Sequence, residues 1–124
     1  MAFKKTTRAS ALGTTIIVDN PVTSKIAQAH VTGAAATLYA VMIDCTENTD
    51  ASVYVKLKDA TSIATVSTCQ PDTQFFCPAG ETMQYTIPGG LTYAAGISYY
   101  VTTDAGVGGT IGTTGRVKLY LTVT

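Results

Sequence analysis

The sequence predicts an all-β fold: an antiparallel β-sandwich, jelly-roll-like, with about seven strands. Three observations predict it. Apolar and polar residues alternate with period two in several short runs. Turn-forming clusters such as Asp19-Asn20-Pro21, Pro78-Ala79-Gly80 and Pro88-Gly89-Gly90 separate those runs. Neither the strand–helix alternation of a parallel sheet nor a fixed-period repeat is present.

Residues 1–13 lack periodicity and read as an extended basic arm, with Lys4, Lys5 and Arg8 among Thr, Ala and Ser. Residues 14–124 read as a single sandwich domain. Residues 14–18 are β-branched and form a first strand, which Asp19-Asn20-Pro21 ends. Val22, Ile26 and Ala29 fall at helical spacing, so residues 21–33 hold either a short helix begun at Pro21 or an irregular crossing segment. In residues 36–45, strict alternation puts Thr37, Tyr39, Val41, Ile43 and Cys45 on one face, and Leu38, Ala40, Met42 and Asp44 on the other. Both faces are largely apolar, as in a central or interface strand. Residues 53–58 send Val53, Val55 and Leu57 inward and Tyr54, Lys56 and Lys58 outward, which predicts one dry face. Residues 59–72 read as a loop. Residues 74–77 and 82–87 form two short strands, the second ended by Pro88-Gly89-Gly90. Residues 97–102 and 117–123 alternate cleanly and flank a Gly-rich loop, residues 104–115.

Composition narrows the function. Eight basic and eight acidic residues leave zero formal net charge, and only 13% of residues are charged. Duplex DNA and anionic membranes call for a basic surplus, so neither is expected as a partner. A surface this poor in charge gives little protection from association, which predicts that part of it is covered in use. No apolar run reaches the roughly 20 residues of a membrane span. The start Met1-Ala2-Phe3-Lys4-Lys5 is followed by small polar residues rather than an apolar centre, so assembly in a cytoplasm is expected. The three cysteines, Cys45, Cys69 and Cys77, have no zinc-site spacing. They read as small buried or half-buried apolar residues.

Catalytic patterns are absent from the sequence. His30 is the one histidine, so a Ser/His/Asp or Cys/His site would depend on it, and no G-x-S-x-G elbow accompanies it. The acids Asp44, Glu47, Asp50, Asp59, Asp72 and Glu81 sit in turns or at strand ends, where carboxylates bond local amides. The glycines of residues 104–115 precede no Lys-Ser/Thr and open no helix, so they make no phosphate loop. No enzyme activity, metal or cofactor is expected. Six further tyrosines are Tyr54, Tyr85, Tyr93, Tyr99, Tyr100 and Tyr120, with Tyr93 in a bend. Tyr85 and Tyr99 fall at inward positions, whereas Tyr54, Tyr100 and Tyr120 fall on the opposite face, among Thr, Ser and Lys. Tyrosine suits protein interfaces, so these three form the expected subunit-contact face.

One group of proteins shares several of these stretches. Val31-Thr32-Gly33-Ala34-Ala35-Ala36-Thr37-Leu38-Tyr39-Ala40, Ile43-Asp44-Cys45-Thr46-Glu47-Asn48-Thr49 and Tyr54-Val55-Lys56-Leu57-Lys58-Asp59-Ala60 occur in the first half. Pro78-Ala79-Gly80-Glu81-Thr82, Gly90-Leu91-Thr92-Tyr93 and Ile97-Ser98-Tyr99-Tyr100-Val101-Thr102-Thr103-Asp104 follow. In this order, across residues 31–123, they resemble small virion proteins of tailed bacteriophages, of the capsid decoration (cement) type. Two places depart from the pattern: Cys45 replaces a turn residue, and residues 106–109 replace a more acidic turn. The resemblance implies a small β-sandwich on the outside of a phage head, bound to the major capsid protein as a homo-oligomer, with a trimer favoured. It implies no catalytic residue. The basic arm of Lys4, Lys5 and Arg8 would lie along coat subunits. Two other uses of the same fold are a neck, tail or baseplate accessory protein and a host-glycan-binding module. The absence of Trp argues against the glycan module.

Overall fold

The computed structural model describes residues 4–7, 15–22, 28, 31–49, 51–103, 106 and 117–124. Eight strands run through them: β1 (Lys4–Thr7), β2 (Thr15–Val22), β3 (Ala36–Asp44), β4 (Val53–Asp59), β5 (Thr73–Cys77), β6 (Thr82–Tyr93), β7 (Ile97–Thr102) and β8 (Val117–Val123). The larger sheet has the order β1-β2-β8-β3-β6 and the smaller β5-β4-β7. Every pairing is antiparallel. Beyond β7 the smaller sheet gains a fourth position. Gln28 and Tyr99 exchange backbone hydrogen bonds at 2.8 and 3.0 Å, and the Val31 amide donates to the Ile97 carbonyl at 2.8 Å. The two facing layers, β2-β8-β3-β6 and β7-β4-β5 with Gln28 bridged to β7, form a jelly-roll-like sandwich, in which the chain crosses between sheets at almost every connection.

The seven expected strands are present, and the eighth is β1, which pairs Lys4 with Val18 through to Thr7 with Thr15. The helical alternative for residues 21–33 gives way at both ends: Val22 belongs to β2, while Gln28 and Val31 bond as strand residues. β2 also continues past Asp19 through a register shift, where Pro21 is tolerated because the ladder is already interrupted.

The core lies between the sheets. Ile17, Leu38, Val41, Ile43, Leu119 and Leu121 enter from the larger sheet, and Val55, Leu57, Phe75, Tyr99 and Val101 from the smaller. Burying each large apolar side chain contributes about 1.5–3 kcal/mol. The face assignment in β3 is corrected by a bulge. Leu38 and Val41 both have zero exposure, which strict alternation forbids. The pairing of β3 with β8 and with β6 shifts between Leu38 and Ala40, so Tyr39 is an extra residue and the alternation restarts after it. Leu38 therefore points inward. The same shift explains the second difference, in β6. Residues 87–90 oppose Tyr39 alone, and the strand resumes at Leu91 instead of ending at Pro88-Gly89-Gly90. Gly89 and Gly90 take φ of +79° and +78°, the left-handed region that makes this kink possible.

Candidate functional site

The expected tyrosine face is the first place to look. Tyr54 on β4 and Tyr100 on β7 share the outward side of the smaller sheet, two residues apart in register: Tyr54 pairs with Thr102 and Lys56 with Tyr100. Tyr120 is half-buried on β8, in the other sheet, where it pairs with Val18 and Met42. The three tyrosines therefore do not form one face. Alternation placed each of them outward but did not say which sheet each strand would join.

The outward side of the smaller sheet is not wet either. Lys56 has zero exposure and Tyr100 only 2%. Part of the cover is the β4–β5 connection, residues 60–72, with its 3₁₀ turn Val66–Thr68. The Tyr100 hydroxyl donates to the Cys69 carbonyl at 3.0 Å, and the Ser98 hydroxyl to the Ala60 carbonyl at 2.8 Å. The Lys56 ammonium lies 5.8 Å from the centroid of the Tyr100 ring. Burial pushes the Tyr100 phenol upward, and the Cys69 contact adds to this. Tyr100 is thus a fastener for the chain's own loop. Tyr54 is half-buried beside Phe76, with ring centroids 5.2 Å apart.

Of the basic arm, Lys4 is exposed on β1, Lys5 follows it on the strand, and Arg8 lies outside the described residues. His30 and most of residues 104–115 also lie outside them.

Three of the acids accept backbone amides, but only Asp44 bonds a neighbour in sequence; the donors to Asp59 and Asp72 lie 13 or more residues away. Asp59 accepts the amides of Ala94 and Ala95 at 3.1 and 2.8 Å, tying the β6–β7 turn to β4. Asp72 accepts the Asp59 amide at 2.7 Å and pairs with Lys58 at 3.7 Å. Asp44 accepts the Thr46 hydroxyl and amide, which hold its carboxyl below the usual range. Beside Asp59 and Asp72 a cavity of about 210 Å³ is lined by Thr73, Leu91, Thr92 and Tyr93. It is smaller than the roughly 300–1,000 Å³ of drug-sized ligand sites. Among the described residues no group of three or more His, Cys, Asp and Glu is placed to hold a metal ion. Among the same residues no helix is long and apolar enough to cross a membrane.

All three cysteines are free thiols. Cys77 does not meet Cys69; it lies in the core next to Cys45. Its sulfur sits 3.4 Å from the Glu81 carbonyl and 3.6 Å from that of Ile43. Burial pushes the Cys45 thiol up to about 12, with the neighbouring Cys77 adding to the effect, and burial raises Cys77 as well. Thiol titration with an aromatic disulfide therefore labels only Cys69 in the native protein, and all three cysteines after denaturation. Rapid native labelling at Cys45 or Cys77 would contradict the packing.

Sequence reasoning missed one buried polar pair. The Tyr99 hydroxyl on β7 donates to Asp19 Oδ2 on β2, joining the two sheets through the core. Asp19 is 1% exposed, and its Oδ1 has no hydrogen-bond partner among the described residues. The Asp19-Asn20-Pro21 run imitates a turn, which hid a strand residue pointing inward. Burial raises the Asp19 carboxyl, against the lowering effect of the Tyr99 hydrogen bond.

The chain matches no family model, no curated protein and no solved structure.

Proposed function

We propose that the protein is a non-enzymatic virion component: a decoration protein that binds the outer surface of a tailed-phage head and stabilises it by bridging coat subunits. The observation that carries this reading is the surface. Outward positions on the larger sheet are mostly Thr, Gln, Tyr, Met, Ala, Ile16 and Val18, with Lys4, Asp44 and Lys118 the charges among the described side chains, a composition suited to burial against other proteins. The jelly roll is an architecture that also builds viral capsid domains, which is support by analogy. The stretches that carry the phage resemblance pack against one another. The Gly80 amide donates to the Cys45 and Asn48 carbonyls at 3.1 and 2.9 Å, and the Ser98 hydroxyl to the Ala60 carbonyl at 2.8 Å. Many weak copies on a shell stabilise it through mass action and avidity.

The major capsid protein is the proposed partner, and the capsid surface the proposed location. Lys4, Lys5 and Arg8 are the proposed coat contacts. Replacing all three with Ala lowers occupancy on purified phage heads, read by co-sedimentation, while the melting temperature stays unchanged. Full occupancy by that variant would remove the arm from the mechanism. The family resemblance favours a trimer as the assembling unit. A neck, tail or baseplate position is the second reading, and copy number per particle separates the two: many copies for a head protein, few for a ring.

A further inference from the structure

We infer that β6 is a self-association edge, along which two copies of this chain pair antiparallel about a two-fold axis centred on Gln84. The inference rests on strand geometry and not on the capsid reading, and it puts a dimer in place of the trimer that the phage resemblance favours. Among the described residues, β6 closes one side of the larger sheet and pairs with β3 alone. The Cys45 amide donates to the Glu81 carbonyl at 2.8 Å, which makes 45/81 a hydrogen-bonded pair. Antiparallel pairs alternate, so 43/83 and 41/85 are hydrogen-bonded as well. Thr82, Gln84 and Thr86 then turn both N–H and C=O away from β3. No described residue bonds to these backbone groups.

Free edges in native proteins are usually blunted by charge, above all by lysine. The opposite edge, β1, carries Lys4 and Lys5. The twelve residues of β6 include no Asp, Glu, Lys or Arg, and neither do the five of β5, the edge strand below it. The two exposed large hydrophobics among the described residues are Phe76 and Leu91, at 38% and 37%. They lie on these same two strands.

The uncharged edge fits an identical copy. On the two-fold axis residue 84 faces its own copy, so a charge there would meet its like, and Gln84 carries none. Centred on Gln84, the pairing sets that residue against the partner's Gln84, and Thr82 against Thr86 of the partner subunit. Each N–H then meets a C=O. Thr–Thr pairs across strands are favourable. Pro88 and the kink at residues 87–90 limit the paired stretch to the flat half of the strand.

Sedimentation of the full chain across a concentration series tests this. The wild-type protein gives twice the 12.9 kDa chain mass. Gln84→Lys sets two ammonium groups against each other and returns the monomer mass, with the circular dichroism spectrum unchanged, because residue 84 is exposed. Gln84→Cys supplies a positive readout. Facing Cα atoms in such a pair lie about 5.5 Å apart, within disulfide reach. With oxidised glutathione as electron acceptor, the two thiols close into one disulfide and two reduced glutathiones leave, giving a covalent dimer; Lys4→Cys gives none. A wild-type monomer at every concentration, a trimer, or a dimer that Gln84→Lys leaves intact each overturns the inference. Binding to phage heads by a monomeric protein would overturn it while leaving the proposed function standing.

Discussion

Gly90→Ala destabilises the fold by about 2–5 kcal/mol, the sum of a left-handed backbone penalty and a steric one. Gly90 has φ +78°, and a Cβ built on it would overlap the Thr37 methyl outright and stand 2.9 Å from Tyr39 Cε1. Tyr39 is the bulged residue of β3, and its ring and Thr37 lie over the glycine. The neighbouring Gly89 has nearly the same φ, +79°, with nothing within 4 Å of the added carbon. Gly89→Ala therefore costs only the backbone part, about 1–2 kcal/mol. Urea denaturation of the two variants separates the contributions. Equal losses would mean that the packing of Tyr39 over Gly90 is not what the kink requires. Thr37→Ser, which deletes the methyl, recovers part of the Gly90→Ala loss.

Tyr99→Phe removes the hydroxyl that serves Asp19, and its effect depends on pH. With the donor gone, a 1%-exposed carboxylate faces the core with neither oxygen bonded by a described residue. Leaving a buried charged acceptor without its hydrogen bond costs about 1.5–3 kcal/mol. The sign of the pH dependence follows from linkage. The folded-state pKa of Asp19 already lies above its value of 3.8 in the unfolded chain. Its contribution is fully present below pH 3.8, where the acid is neutral in both states, and is lost as pH rises through the folded value. Loss of the hydroxyl removes a hydrogen bond that lowers that pKa, so the variant's folded value moves further up. The difference in stability between Tyr99→Phe and wild type is therefore small at acid pH and grows toward neutrality. Taking the difference cancels Asp44, whose lowered pKa acts in the opposite direction: its stabilisation is present above pH 3.8 and lost as pH falls through the lowered value. Melting temperatures of both proteins from pH 3 to 8 give the curve, and a pH-independent difference would contradict a buried, titrating Asp19.

The strands with unbroken alternation were legible in the sequence. β4, β7 and β8 occupy the expected residues because Val53-Val55-Leu57, Ile97-Tyr99-Val101 and Val117-Leu119-Leu121-Val123 have one way to face a core. β3 was found as a strand but misread beyond its bulge, since one extra residue inverts every inward and outward assignment on one side of it. Nothing local to Tyr39 announces the bulge; it is fixed by how β8 and β6 pair with β3. Pro88-Gly89-Gly90 read as a turn for a related reason: the same residues that end a strand also kink one. The candidate site was less legible. Whether Tyr54, Tyr100 and Tyr120 share a surface depends on sheet order, and whether Lys56 is exposed depends on what covers it. Neither is encoded in the periodicity of a single strand.

The strand order also dictates how the protein can be made. β8 lies between β2 and β3, so the centre of the larger sheet stays open until residues 117–123 have been synthesised. Until then β2 and β3 each present an unpaired side, and their shared neighbour lies roughly a hundred positions from β2 along the chain. Pairings this distant in sequence close slowly. The growing chain thus spends its time on the ribosome as an incomplete sheet, exposed to the wrong neighbours until its final strand arrives.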